Sequence, residues 1–525
     1  MATYNFDTIT AAQAATVTTS DNILVSSGSA NAASVTFVPA TATAVASVNV
    51  TIGAKTVNFP ATALASSNNV FVYTDGSQLF TGNDATTDNA TTGAGNDALF
   101  GGGGADTLNA GAGNNVMQGN IGNDVLTGGT GNDTIYGGQD SDTIATGTGV
   151  NFAQGNKGDD SVTGGSGVDT LLGGQGLDTI VGGGGADFLN GNLGNDSVQG
   201  GTAADNIFGE DGNDTLDGGT AGVDTISGGA GNDTITTTGA GSTASGGDDS
   251  DTITLGASGT AQGGAGIDSI TGSTTADTIL GGQDNDTISG GTGGDLLNGN
   301  DDNDSITAGS GADTVFGETG DDTINATAGG TDTIDAGAGN DSVTAAGGGG
   351  ADVISGGAGN DTVAGGTAAS TLNGGDGNDA LTGGAAADVI NGGAGTDTII
   401  GGAAKDTLAG GAGVDNFTFA SGDSGTTAGT IDVITDWEST DTLDFSGATA
   451  VVGSAINYTE IVGPATYADA LVQAEAAVTV AVDYAAVQVG ADVIIFADQN
   501  NDGTIDDAVV LVGKTLADVA FGNIL

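Results

Sequence analysis

Aspartate is the residue with which this chain could do chemistry, and it recurs at a fixed interval. Asp97, Asp106, Asp124, Asp133, Asp142, Asp160, Asp169, Asp178, Asp187, Asp196, Asp205 and Asp214 are separated by nine residues or multiples of nine, with Asn115 and Asn151 filling the two gaps. One added residue moves the phase to Asp224, Asp233 and Asp251. One fewer restores it at Asp268, and it then runs through Asp277, Asp286, Asp295, Asp304, Asp313 and Asp322. After small slips at Asp332 and Asp341 it continues as Asp352, Asp361, Asp379, Asp388, Asp397, Asp406 and Asp415. No accident of composition holds phase over about 36 units. Carboxylates repeated in this way, next to turn carbonyls, are hard oxygen donors of the kind that bind Ca²⁺.

The composition points the same way. The 525 residues carry 66 acidic side chains against 4 lysines, a net charge of −62, with no His, Cys or Arg. Only five of the acids are Glu, and a coat that merely solvates would use both carboxylates, whereas Asp suits turns and oxygen-ligand sites. Disorder is opposed by an apolar fraction of 37% and a mean hydropathy of +0.04. Nucleic acid and anionic membrane surfaces are excluded as partners because both need Lys and Arg. Thiolate and imidazole chemistry is excluded by residue count. No apolar run approaches the ~18 residues of a membrane span. The start, Met1-Ala-Thr-Tyr-Asn-Phe-Asp7, is not an ordinary secretory signal, so export would have to be read elsewhere.

The elements that must position the aspartates follow from the unit itself. Gly128-Gly-Thr-Gly-Asn-Asp133-Thr-Ile-Tyr136 divides into a six-residue turn, Gly-Gly-x-Gly-x-Asp, and a three-residue strand with its central aliphatic turned inward. Two units make one flattened coil. Coils then stack as parallel strands about 4.8 Å apart, about 18 of them over the repeat region. The core is a double file: Leu99, Met117, Ile135, Leu171, Leu189 and Ile207 on one sheet, and Leu108, Leu126, Ile144, Val162, Ile180, Val198 and Leu216 on the other. So thin a core does not offset the ordering of 102 glycines, at roughly 1 to 2 kcal/mol per residue. Stacking also sets each Asp beside its counterpart two units along, which is repulsive unless Ca²⁺ lies between the rungs; Mg²⁺, which holds its water, is less suited.

This unit resembles the Gly-Gly-x-Gly-x-Asp-x-(aliphatic)-x nonapeptide of RTX (repeats-in-toxin) proteins. The resemblance covers about 320 of 525 residues. It implies an all-β, right-handed parallel β-roll with Ca²⁺ in the turns, about 25 to 30 ions here. Asn115, Asn151, Ser242, Thr260 and Ser370 stand where Asp is expected, so those turns should bind calcium poorly or not at all. A small β module is expected over residues 1–85, the roll over 86–415, and a capping β domain over 416–525. The segments Phe417-Thr-Phe419, Ile431 to Trp437 and Asp441 to Ser446 resemble the roll-closing segment of serralysin-like RTX proteins. Leu516 to Leu525 resembles the C-terminal signal read by type I secretion machinery. Asp498, Asn500, Asp502 and Asp506, with Gly503 at the sixth position, are spaced as in an EF-hand loop. Val509 stands where that loop needs Glu, so a calcium loop and a hairpin turn both remain open.

A second period lies within the first. Phe100, Tyr136, Leu172, Phe208, Leu280 and Phe316 face outward at 36-residue spacings or their multiples, with Val116, Phe152, Phe188 and Leu296 on the same sheet and Gln118, Gln154, Asn190 and Asn298 in step. Such a stripe is expected to be covered by a neighbouring subunit, covered by the chain's own ends, or left bare. Nearly every Asp is explained by the repeat, so an enzyme is not expected. The sequence is read as a secreted, calcium-folded structural protein of the cell surface, self-assembling through the Phe100/Tyr136/Leu172/Phe208 face as a surface layer, matrix or filament. The alternative is an adhesin binding a cell-surface glycan or lipopolysaccharide; ice binding is disfavoured because the Thr ranks are broken.

Overall fold

Inward aliphatics set the strands. In the computed structural model Leu99, Met117, Ile135, Leu171, Leu189 and Ile207 are fully buried on one sheet, and Leu108, Leu126, Val162 and Ile180 on the other. The structure describes residues 3–5, 22–25, 33–38, 47–52, 55–60, 70–73, 77–82, 87–345, 347, 349–427, 429–445, 458–464, 466–478, 484–500 and 502–524. It is an all-β parallel solenoid of about 18 turns, with about 4% helix. Two compact units divide it, residues 1–260 and 261–525.

In the first unit, strand Thr134–Gln139 lies parallel to Val116–Ile121 and to Phe152–Lys157. Strand Val125–Thr130 lies parallel to Thr107–Asn109 and Thr143–Thr148 on the opposite sheet. Registers advance by two repeats, one coil, as in Ile135↔Ala153 and Leu126↔Ile144. Many strands are six residues long rather than the three expected. The Gly-Gly-x part of each expected turn still pairs with the next coil, as Gly129↔Gly147, so a short bend closes the coil. Gly129 shows why glycine is needed there: its φ is +108°, and a Cβ would collide with the Gly111 carbonyl oxygen of the preceding coil. Gln78–Thr81 lies parallel to Ala98–Gly103, the first long strand of the regular coils. Before it come an antiparallel meander, Ala33–Val38, Ser47–Ile52 and Lys55–Pro60, and the short strands Thr3–Asn5, Asn22–Val25 and Val70–Tyr73.

In the second unit the coils continue in the same way past residue 415, with Asp432–Ile434 parallel to Thr407–Gly413 and Thr442–Asp444 parallel to Asn416–Thr418. Large rings fill the end of this stack. Trp437, Phe417, Phe419 and Phe445 are buried, with Phe419 and Phe445 stacked at 5.4 Å. Beyond them, strands Tyr484–Val489, Asp492–Ala497 and Asp507–Leu511 form an antiparallel meander whose last strand joins Asp432–Ile434. The helix Tyr467–Ala477, capped by the Thr466 hydroxyl, packs Ala470 and Ala474 against this meander. The terminal segment folds back: Ile524 bridges to Leu443, and the Trp437 indole N–H donates to the Asp518 carbonyl at 3.3 Å.

Candidate metal centre

Each repeat Asp sits where a bend turns into a strand, and every one from Asp97 to Asp415 is buried. One carboxylate oxygen is spoken for. Asp124 Oδ1 accepts the backbone N–H of Asp106 at 2.7 Å, while the Asp124 N–H donates to Asp142 Oδ1 at 2.8 Å. The same bond, coil to coil, makes two ladders in each unit, one along each edge.

The other oxygen is left over. Oδ2 of Asp106, Asp124, Asp133, Asp142, Asp160 and most of their counterparts is buried with no hydrogen-bond partner. It faces more acceptors. A Cβ placed on Gly128 would lie 2.5 Å from Asp133 Oδ2 and 2.5 Å from the Thr146 carbonyl oxygen of the next coil; at Gly392 the same two distances, to Asp397 Oδ2 and the Gly410 carbonyl, are both 2.5 Å. Glycine leaves that spot open, and the unpartnered Asp Oδ2 and a main-chain carbonyl oxygen converge on it. Buried unsatisfied carboxylate oxygens cost several kcal/mol each unless a cation meets them. Among the described residues no three carboxylates cluster, so a site here combines carboxylate oxygens with main-chain carbonyls. That all-oxygen donor set fits Ca²⁺.

The electrostatics agree. Burial, aided by neighbouring carboxylates and opposed by the Asp88 N–H, pushes Asp106 up to about 7. Burial also raises Asp124 to about 6 and Asp142 and Asp432 to about 8. Without counter-charge these four carboxyls ionise only as pH rises through about 6 to 8, well above the ordinary carboxylate range.

The asparagine rungs are an internal control. Asn115 and Asn151 keep the ladder bond, accepting the N–H of Asp97 and Asp133 at 2.8 Å. Where Asp has its spare oxygen they carry an amide NH₂: Asn115 Nδ2 donates to the Gly113 carbonyl at 3.1 Å, and Asn151 Nδ2 to Thr146 Oγ1 at 3.2 Å. The amide thus supplies the hydrogen-bond donor that the aspartate rungs lack.

All the substituted rungs of a unit lie on one edge. In the first unit Asp106, Asp124, Asp142, Asp160, Asp178, Asp196, Asp214, Asp233 and Asp251 form an unbroken ladder, and the opposite edge reads Asp97, Asn115, Asp133, Asn151, Asp169, Asp187, Asp205, Asp224, Ser242. In the second, Asp268, Asp286, Asp304, Asp322, Asp341, Asp361, Asp379, Asp397 and Asp415 are unbroken, while Ser370 interrupts Asp277, Asp295, Asp313, Asp332, Asp352, Asp388 and Asp406. One expectation is corrected: Thr260 is not a rung. Ala261 is the inward residue of strand Gly259–Ala265, which puts Gly259 at the rung position, two residues before it.

The ladders also extend further than expected. Asp88 donates its N–H to Asp106 Oδ1, Asp406 to Asp432 Oδ1 at 2.7 Å, and Asp415 to Asp441 Oδ1 at 3.2 Å. The signal was present, since Asp432 and Asp441 are nine apart and each precedes an aliphatic by two residues. Asp498, Asn500, Asp502 and Asp506 come together in the loop of the Asp492–Ala497/Asp507–Leu511 hairpin. There Asp498 accepts the N–H groups of Asp502 and Gly503, and Asp506 those of Gln499 and Asn500. Both oxygens of Asp498 and of Asp506 thus have donors, whereas most ladder aspartates have one at Oδ1 alone.

The profile of the RTX calcium-binding nonapeptide repeat matches residues 83–258 and 262–424 in overlapping segments, and the chain belongs to that family. RTX repeats bind calcium, and the proteins that carry them are typically secreted. No curated protein matches the chain. Of 37 matching solved chains, one is the AlgE6R3 subunit from the Azotobacter vinelandii mannuronan C5-epimerase, 23% identical over 32% of this chain and 78% of that one, with a TM-score of 0.19. That likeness carries nothing further. Among the described residues no helix is long and apolar enough to cross a membrane.

Proposed function

We propose that this is a secreted structural protein that folds when Ca²⁺ reaches it outside the cell and then assembles at the surface as a layer, matrix or filament, with no catalytic role. The observation that carries the calcium part is the file of buried, partnerless Asp Oδ2 atoms along both edges. In this reading the repeat Asp from Asp97 to Asp415, together with Asp432 and Asp441, hold about 25 to 30 ions between coils with the help of turn carbonyls. The Asp498–Asp506 loop is a weaker candidate. Each ion brings two positive charges to a chain of net charge −62, so a loaded roll approaches neutrality and copies can come together. Export is assigned to type I secretion, as an open chain at cytosolic calcium.

The outward stripe supports assembly less directly. Phe100 is nearly buried within its own sheet, and Tyr136 packs against Phe152 at 5.6 Å, so part of the stripe is covered in cis. Val150, Val168, Leu177 and Val223, each next to a rung, remain more than half exposed and are assigned to contacts between copies. Electron microscopy of purified protein before and after millimolar Ca²⁺ tests this. Ordered arrays or filaments are expected, and persistent monomers at high concentration would overturn it.

A further inference from the structure

The outer face of one sheet in the first unit is corrugated at twice the coil spacing. At the fifth position of successive strands stand Gly102, Asn120, Gly138, Asn156, Gly174 and Asn192, all with positive φ. The backbone there demands a left-handed residue at every coil, and glycine would supply it everywhere without strain. Asn nevertheless occupies alternate coils, at φ +85°, +82° and +78°, as non-glycine strain retained at functional places does. Two positions earlier the alternation is complementary: Tyr136 and Leu172 accompany the glycines, while Gln118, Gln154 and Asn190 accompany the asparagines.

The result is a row of hollows. One, of about 470 Å³, lies over Gly138 between Gln118, Asn120, Tyr136, Asn156 and Lys157. The next, of about 460 Å³, lies over Gly174 between Gln154, Asn156, Lys157, Gln175 and Asn192. Asn156 and Lys157 form the wall shared by both. Successive hollows are two strand spacings apart, roughly 9.6 Å. Lys157 is the only lysine between residues 56 and 404, so the wall carries a cation on a strongly acidic chain.

We propose that this face binds an extended β-1,4-linked polysaccharide, one disaccharide per hollow. In such a chain successive rings turn over, so the same face returns after every second ring, an advance close to the spacing of the hollows. Primary amides both donate and accept, which is what ring hydroxyls require, and the half-buried Tyr136 ring offers an apolar surface to a sugar's C–H face. The occupant is neutral or sparsely acidic, because carboxylates crowd the turns on either side and Lys157 alone answers a negative group.

The test is calorimetry on the calcium-loaded full chain with cellohexaose and chitohexaose, and with the α-linked maltohexaose as a control of spacing. Saturable binding of a β-linked hexasaccharide below millimolar is expected. It should weaken about tenfold in Asn156→Gly, which keeps the left-handed backbone while removing the shared wall, and about as much in Tyr136→Ala, with circular dichroism unchanged in both. The proposal is overturned if neither β-linked oligomer binds, if maltohexaose binds equally well, or if Asn156→Gly and Tyr136→Ala bind as tightly as the parent.

Discussion

Within residues 77–260 two edges are built from the same nine-residue unit, yet the one through Asp124 is carboxylate at every rung and the one through Asp133 is interrupted by Asn115, Asn151 and Ser242. Residues 261–441 repeat the contrast, with Ser370 as the interruption. At these rungs the ladder is indifferent to the change, because Asp, Asn and Ser side chains all accept the N–H of the rung before, whereas Gly259, at a rung position of the same edge as Ser242, has no side chain to do so. What differs is the second polar atom: a bare carboxylate oxygen on one edge, and at intervals a self-satisfied amide on the other. The difference separates two jobs that a repeat Asp performs. The hydrogen bond that stacks the coils belongs to the protein alone, while the charge beside it calls for a cation. An edge with neutral rungs is therefore expected to depend less on calcium than the unbroken edge.

The sharpest way to break the comparison is to remove the cation from both edges at once. Chelation with EGTA near pH 8 is expected to abolish most of the strand signal in circular dichroism; a spectrum unchanged after chelation would mean the spare oxygens need no metal. Acid should reverse the loss. Burial raises the folded pKa of these aspartates from 3.8 to about 6 for Asp124 and about 8 for Asp142, so the folded form holds protons more tightly than the unfolded. The stability of the calcium-free roll is therefore greatest below about pH 4 and falls as pH rises through 6 to 8. A calcium-free sample moved from pH 8 to pH 4 should regain strand signal; calcium binding should strengthen in the opposite direction.

Next in size is the core the edges share. Ile135→Ala removes one fully buried side chain from a single file and should cost about 2 to 5 kcal/mol with little change in ions bound, read by chemical denaturation and elemental analysis. Asp142→Asn, by contrast, should remove at least one ion from the unbroken edge while keeping the ladder bond to Asp124, and a protein that bound as much calcium afterwards would erase the distinction between the edges. The smallest effect and the finest test is Asn151→Asp. It should add about one ion in calcium, and in its absence destabilise by roughly 1 to 3 kcal/mol, because the Thr146 hydroxyl and Gly149 carbonyl lose the amide donor.

Much of this is legible in the residues. The nine-residue phase, the turn glycines and the inward aliphatic of every unit follow from local rules: positive φ needs glycine, and alternation sends one side chain of three to the core. The metal can be read from the same pattern, since Asp in register at every second unit has no comfortable arrangement without one. Strand length is not legible, because Gly-Gly-x looks like a turn and only its pairing across coils reveals it as strand. Asp432 and Asp441 keep the nine-residue spacing between themselves but fall out of phase with Asp406 and Asp415, because that ladder step spans a longer stretch of chain than the usual coil.

By itself, then, the sequence determined the repeating conformation and the donor atoms, because both depend on residues within a single unit. Only the tertiary structure decided what those atoms meet. Stacking turns one carboxylate oxygen toward an N–H and leaves the other buried without a partner; it assigns Asn115, Asn151 and Ser242 to a single edge, and sets Asn156 and Lys157 between two hollows. Those outcomes rest on contacts between residues a full coil apart along the chain, an interval that shifts with each inserted or missing residue and is settled only when the coils lie on one another.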